Sequence, residues 1–156
     1  HEVLRGEGRI QGALLGGCLE SLYALLEGER YPDQAVVSER YRLFPEVDEW
    51  KGKLFFFETS EEQPEPALFR KMLLRFKELG IFEQVCGLIV GKPQNNVYYE
   101  EYKKVLLEVT ADEDLPILYN VNFGHAYPRA VLPYGLQAVL DCEKKHLEML
   151  EGMFDA

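Results

Sequence analysis

Hydrophobic positions along this chain follow two different rhythms. Leu54-Phe55-Phe56-Phe57 is a continuous apolar run, and Cys86 to Val90 and Ile117 to Val121 are two more. Runs this short, bounded by turn residues, predict strands buried on both faces. Between them Phe69, Met72, Leu73, Phe76 and Leu79, and then Tyr98, Tyr102, Val105, Leu106 and Val109, recur at the spacing that places them on one side of a helix. Near the start, Arg9 to Leu15 alternates loosely and meets Gly16-Gly17, where a strand is predicted to turn into a helix carrying Leu19, Leu22, Tyr23 and Leu26, ended by Gly28. Pro64 and Pro66 punctuate the chain before the first long stripe. Gly80 follows that stripe as a left-handed cap, and Gly91-Lys92-Pro93 stops the second buried run. Tyr31 to Trp50 is mixed and rich in charge and predicts a loop with short irregular pieces. After Pro133, the segments Gln137 to Leu140 and His146 to Leu150 predict a hairpin.

Strands alternating with helices imply parallel pairing and right-handed crossovers, to which the hairpin adds antiparallel strands. The fold class is therefore α/β with a mixed sheet and helices. No repeat, low-complexity tract or linker divides residues 1–156, so one domain is the simplest organisation.

Composition narrows the function classes. Apolar residues make up 47% and charged residues 28%, the balance of a soluble globular protein. No apolar run reaches the roughly 20 residues that span a bilayer, and no signal-peptide pattern opens the chain. It begins with His1 rather than Met, as a cut-down fragment or a tagged chain would. A net charge of −10, from 27 acidic and 17 basic residues, argues against a nucleic-acid partner, which needs clustered Lys and Arg. Cys18, Cys86 and Cys142 are widely spaced and odd in number, fitting neither a disulfide framework nor a C-x-x-C metal site. A cytoplasmic, reduced protein without membrane, metal or cofactor is the expectation. Asp112, Glu113 and Asp114 read as a solvated loop, and Tyr98-Tyr99 and Tyr102 as core or interface.

Two polar residues stand at the ends of predicted strands. Glu58 follows Leu54–Phe57, and His125 comes shortly after Ile117–Val121. In open α/β sheets the ligand crevice lies outside the carboxyl ends of the strands. Were these two strands parallel neighbours, Glu58 and His125 would project toward one edge. A carboxylate beside an imidazole fixes its tautomer and stabilises the imidazolium formed in acyl transfer. The alternative is structural: Glu58 begins a solvated loop with Glu61, Glu62 and Glu65, and His125 is a turn residue bonded to backbone. No nucleophile has a convincing setting. Ser21 lies within a predicted helix, Ser38 in the charged loop and Ser60 two residues past Glu58, none on a G-x-S-x-G elbow. Cys18 opens a helix, a position that lowers a thiol pKa, but cysteine is also a common core residue. Gly16-Gly17 before a helix suits either an anion cradle or a tight turn.

Several segments together resemble the LD-carboxypeptidase family, which includes the microcin C self-immunity peptidases. The family's strand-turn-helix motif, roughly G-x-L-x-G-G-N-L, is matched by Gly12-Ala13-Leu14-Leu15-Gly16-Gly17-Cys18-Leu19. Its apolar strand ending in Leu-Glu-Asp is matched by Phe57-Glu58-Thr59, and its G-L-I-x-G strand by Gly87-Leu88-Ile89-Val90-Gly91. Its F-G-H-x-x-P and following P-x-G are matched by Phe123 to Pro128 and by Pro133-Tyr134-Gly135. Order and spacing agree from about Gly8 to Leu150. The resemblance implies a swivelling β/β/α-type C-terminal domain, with the glutamate and histidine of a Ser-Glu-His triad at Glu58 and His125. The serine would lie in the protein's own N-terminal domain. It further implies a metal-free, homodimeric peptidase that cleaves an amide in a muropeptide or a peptidyl-nucleotide, with Gly17 and Cys18 near the substrate, and no activity in this chain by itself. Cys18 stands where the family has asparagine and Thr59 where it has aspartate, which separates this chain's substrate contacts from the family pattern. A non-catalytic peptide-binding or scaffold domain that keeps the fold is the competing reading.

Overall fold

A computed structural model describes residues 1–28 and 30–152. Seven strands form one curled mixed sheet: β1 (Glu2–Arg5), β2 (Arg9–Cys18), β3 (Lys53–Glu58), β4 (Gly87–Gly91), β5 (Ile117–Val121), β6 (Gln137–Asp141) and β7 (His146–Met149), in the order β1-β5-β4-β3-β2-β6-β7. The helices are α1 (Leu19–Glu27), α2 (Gln34–Tyr41), α3 (Pro66–Glu78), α4 (Ile81–Gln84) and α5 (Tyr99–Val109), with 3-10 turns at Val47–Trp50 and Gln94–Asn96. Strands β2 to β5 pair in parallel, and β1, β6 and β7 are antiparallel additions. The α/β class with a mixed sheet is as the hydrophobic rhythm requires.

Strand β3 shows why a continuous apolar run was needed. Side chains alternate across a strand, so Phe55 and Phe57 enter the core shared with α1, α3 and α5, while Leu54 and Phe56 enter a second core. Leu54, Phe55 and Phe57 are fully buried and Phe56 nearly so. The helical core takes Phe69, Met72, Leu73 and Phe76 from α3 and Tyr102, Val105, Leu106 and Val109 from α5. Phe69 stacks on Tyr102 with ring centroids 4.3 Å apart. The second core is drawn from strands and loops alone, including Leu14, Ile89, Leu118, Phe123, Ala138 and Leu140.

Some elements differ from the sequence expectation. Tyr31–Trp50 is not simply loop: it holds α2 and the Val47–Trp50 turn. Helix α2 is mostly exposed and buries only Ser38, so its sequence carries no apolar stripe to announce it. Gly16-Gly17 does not form the turn; β2 runs on through both to Cys18. Their φ angles of 155° and 146° lie where glycine alone is comfortable, and a Cβ on Gly16 would stand 1.7 Å from the Phe56 carbonyl oxygen. Strand β1 and the short α4 carry no pattern long enough to be read. Gly80 adopts the left-handed conformation expected of it, with φ 76°.

Trp50 anchors the mixed segment, fully buried and edge-on to Phe55 at 4.8 Å between centroids. Its indole N–H has no hydrogen-bond partner among the described residues. Trp50→Ala should therefore cost about 3–5 kcal/mol in urea unfolding. Trp50→Phe should cost clearly less, because it keeps a ring in the site and removes the unpaired donor.

Candidate functional site

The parallel register sets the carboxyl ends of four strands abreast. Cys18 of β2 lies beside Glu58 of β3, and Gly91 of β4 beside Val121 of β5. Strands β3 and β5 are not neighbours, as β4 runs between them. The chain leaving β5 crosses this gap. Lys92 N–H donates to the Val121 carbonyl at 2.8 Å, and Ala130 N–H donates to Asn122 at 2.7 Å, pinning the loop that carries His125.

Glu58 and His125 meet at this edge. The Glu58 carboxylate accepts the His125 backbone N–H at 3.0 Å, and the ring Nδ1 lies 2.9 Å from Oε2 and 3.1 Å from Oε1. A carboxylate acceptor requires the proton on Nδ1, which leaves Nε2 as the basic nitrogen of the neutral ring. Close approach depends on Gly124, whose φ is 74°. A Cβ there would stand 2.2 Å from the Glu58 Cδ and Cγ. On the other side, a Cβ on Gly91 would stand 2.4 Å from the Glu58 Cβ. The invading backbone is what buries the carboxylate, to 4% exposure, while the imidazole remains 39% exposed. The solvated-loop reading of Glu58 is thereby excluded.

Electrostatics follow from this asymmetry. Burial pushes the Glu58 carboxyl above its ordinary range, only partly offset by the two His125 N–H donors. The hydrogen bond that the ring donates to Glu58 raises the His125 imidazole, with further help from the charges of Glu61 and Glu20. Glu61 Oε2 lies 3.1 Å from Nε2 but is 65% exposed, so that pair is held weakly.

The same edge holds the other expected residues. A Cβ on Gly17 would stand 2.8 Å from the Tyr134 hydroxyl, so that residue lies under the exposed Tyr134. The Cys18 thiol is half-buried and contacts Glu20 Oε2 at 3.5 Å. Burial pushes the thiol up, so the helix start does not activate it as a nucleophile. Ser60 is engaged elsewhere: its N–H and hydroxyl both donate to Glu20 Oε1, at 2.8 and 2.7 Å. Ser38 is buried in α2. Glu20 and Glu61 were missed as site residues, one lying inside a helical stripe and the other inside an acidic run. No helix among the described residues is long and apolar enough to cross a membrane.

Comparison with known proteins identifies the family and the fold. Residues 11–140 match the model of the LD-carboxypeptidase C-terminal domain. A Vibrio cholerae protein named as a carboxypeptidase is 28% identical over 139 residues, 87% of this chain and 36% of its own. The microcin C7 self-immunity protein MccF of Escherichia coli is 24% identical over 153 residues, 94% of this chain and 38% of its own. The MccF structure in complex with glutamyl sulfamoyl guanosine shares the fold with a TM-score of 0.73, at 23% identity and covering 99% of this chain and 42% of that one. An MccF-like protein from Streptococcus pneumoniae, in complex with AMP, superposes with a TM-score of 0.89 at 43% identity, covering 95% of this chain and 43% of that one. The chain thus spans about two-fifths of the length of these relatives. With its sheet, its strand-end motifs and the matched span in agreement, this chain belongs to the LD-carboxypeptidase family, as its C-terminal domain.

Proposed function

We propose that this chain supplies the glutamate and histidine of a Ser-Glu-His triad in a serine-type carboxypeptidase or amidohydrolase, the serine coming from an N-terminal domain of the same protein. The carrying observation is the buried Glu58 carboxylate held 2.9 Å from His125 Nδ1 on a ring that is still 39% exposed. In this reading Nε2 takes the proton of the serine hydroxyl as it attacks the amide carbonyl. The imidazolium so formed, stabilised by Glu58, returns the proton to the leaving amine. Water then releases the acyl group by the same exchange. Glu61 has to leave Nε2 for the hydroxyl to approach, and its exposure makes that movement cheap.

The substrate of this reading is an amide in a muropeptide or a peptidyl-nucleotide. Microcin immunity in a relative and AMP in the 43% identical neighbour support the second class. In this reading Gly17 and Cys18, which lie abreast of Phe57 and Glu58 in the sheet, contact that substrate. Without the nucleophile domain the chain by itself should not hydrolyse amides.

In protein containing both domains, His125→Ala and Glu58→Gln should each lower kcat/KM for amide hydrolysis by about 10³-fold or more, because triad members act as a unit. Near-normal hydrolysis by His125→Ala would sink the triad. The imidazole titration tests the pair separately. Glu58 stabilises the protonated ring, so His125 in this chain should lose its proton at higher pH than an ordinary histidine. Glu58→Gln should move that midpoint down, as read from the His125 ring proton by NMR. Hydrolysis should rise with pH through the same midpoint, since the neutral ring is the base.

A further inference from the structure

The register that sets Cys18 beside Glu58 also brings together the residues beyond them. Glu20 lies two residues past the end of β2, in the first turn of α1, and Ser60 lies two residues past the end of β3. The part-buried Glu20 carboxylate accepts both donors of the buried Ser60 through Oε1, the N–H at 2.8 Å and the hydroxyl at 2.7 Å. A negative charge is favoured in the first turn of a helix, which suits Glu20 to that task. The Ser60 hydroxyl in turn accepts the Glu62 N–H at 3.2 Å, and the Ser60 carbonyl accepts the Gln63 N–H at 3.2 Å. One carboxylate thus closes the turn that follows β3. The far end of that turn is held independently, by the Tyr102 hydroxyl donating to the Pro64 carbonyl at 2.5 Å. Between the two tethers the chain is buried from Glu58 to Ser60 and exposed at Glu61. Among the described residues no hydrogen bond joins Glu20 to His125, so Glu20 acts on the imidazole through the chain or through its charge.

We propose that Glu20 is a positioning residue of the acid–base pair: by holding Ser60 it fixes the exit of β3, and so the angle at which the Glu58 carboxylate meets His125 Nδ1. This rests on the triad reading and extends it. Gly91 and Gly124 limit where the Glu58 side chain can lie, and the Ser60 tether sets the backbone that carries it. Without an acceptor on Glu20, two buried donors of Ser60 lose their partner. The turn then shifts to satisfy them, and the carboxylate two residues away moves with it. A displacement of about 1 Å at a reacting pair costs about 10²-fold in rate.

Two substitutions separate position from charge. Glu20→Gln keeps a carbonyl oxygen for the Ser60 donors and removes the charge. Glu20→Ala removes both, and alanine suits the helix. The first readout is long-range ¹⁵N NMR of the His125 ring in this chain, which shows the nitrogen that carries the proton in the neutral form. Glu20→Gln should keep that proton on Nδ1, and Glu20→Ala should shift it toward Nε2, the form an unpaired imidazole prefers. The ring is raised first by its hydrogen bond to Glu58 and then by the charges of Glu58, Glu61 and Glu20, with Lys92 and Arg129 the nearby cations. Its titration midpoint should therefore fall slightly in Glu20→Gln, which loses one charge, and further in Glu20→Ala, which also loosens Glu58. In the two-domain protein Glu20→Ala should lower kcat about 10²-fold with KM little changed, and Glu20→Gln should recover most of that loss. Ser60→Ala breaks one of the two bonds while leaving Glu20 charged, and should shift the ring the same way by less; it decides the matter should Glu20→Ala not fold. An unchanged ring in the alanine variants, or equal changes in Glu20→Gln and Glu20→Ala, overturns the proposal. The two readings fail separately. An unchanged ring in Glu20→Ala removes the positioning role even when His125→Ala abolishes hydrolysis. Retained hydrolysis in His125→Ala removes the triad even when Glu20→Ala displaces the ring proton.

Discussion

A carboxylate buried at the end of a strand constrains everything around it. Glu58 is 4% exposed, and a charge so enclosed has to be met by donors or give up its ionisation. Among the described residues both donors to it come from His125, one from the backbone and one from the ring. To bring them within reach, the chain after β5 must pass against Glu58 so closely that Gly124 has no room for a Cβ, with Gly91 of β4 equally tight on the other side. The short β5-to-His125 connection and the two glycines are thus consequences of one polar contact.

The sheet provides the edge on which this contact is possible. Its parallel centre aligns the ends of β2, β3, β4 and β5. The two cores on either side of β3 hold that centre in place, with alternate side chains of one tetrapeptide assigned to each. Rigidity matters here because an acid–base pair performs only within a few tenths of an ångström of its working geometry. A packed Phe-rich strand immediately before Glu58 supplies it.

Charge is distributed as unevenly as burial. Glu58 at Nδ1 and the more exposed Glu61 at Nε2, with Glu20 nearby, keep the imidazole readily protonated. The loop after β5 that carries the imidazole to this edge is held by the Ala130 N–H to the Asn122 carbonyl.

The sequence by itself determined the elements whose burial is total. Leu54–Phe57, the stripes from Phe69 and from Tyr102, and the closing hairpin each follow from side-chain periodicity, which depends on local backbone geometry alone. The family motifs likewise marked Glu58 and His125, since a motif preserves spacing along the chain. Helix α2 was illegible because an exposed helix needs no apolar stripe, and β1 because four half-buried residues make too short a pattern. Strand order was also out of reach: β4 between β3 and β5 is a matter of long-range pairing that no local rhythm encodes. Only the tertiary structure decided that Gly16-Gly17 continues a strand, that the half-buried Cys18 thiol is pushed up rather than activated, and that Glu61 reaches the outer nitrogen of the same imidazole as Glu58. Each of these depends on which atoms approach from distant parts of the chain.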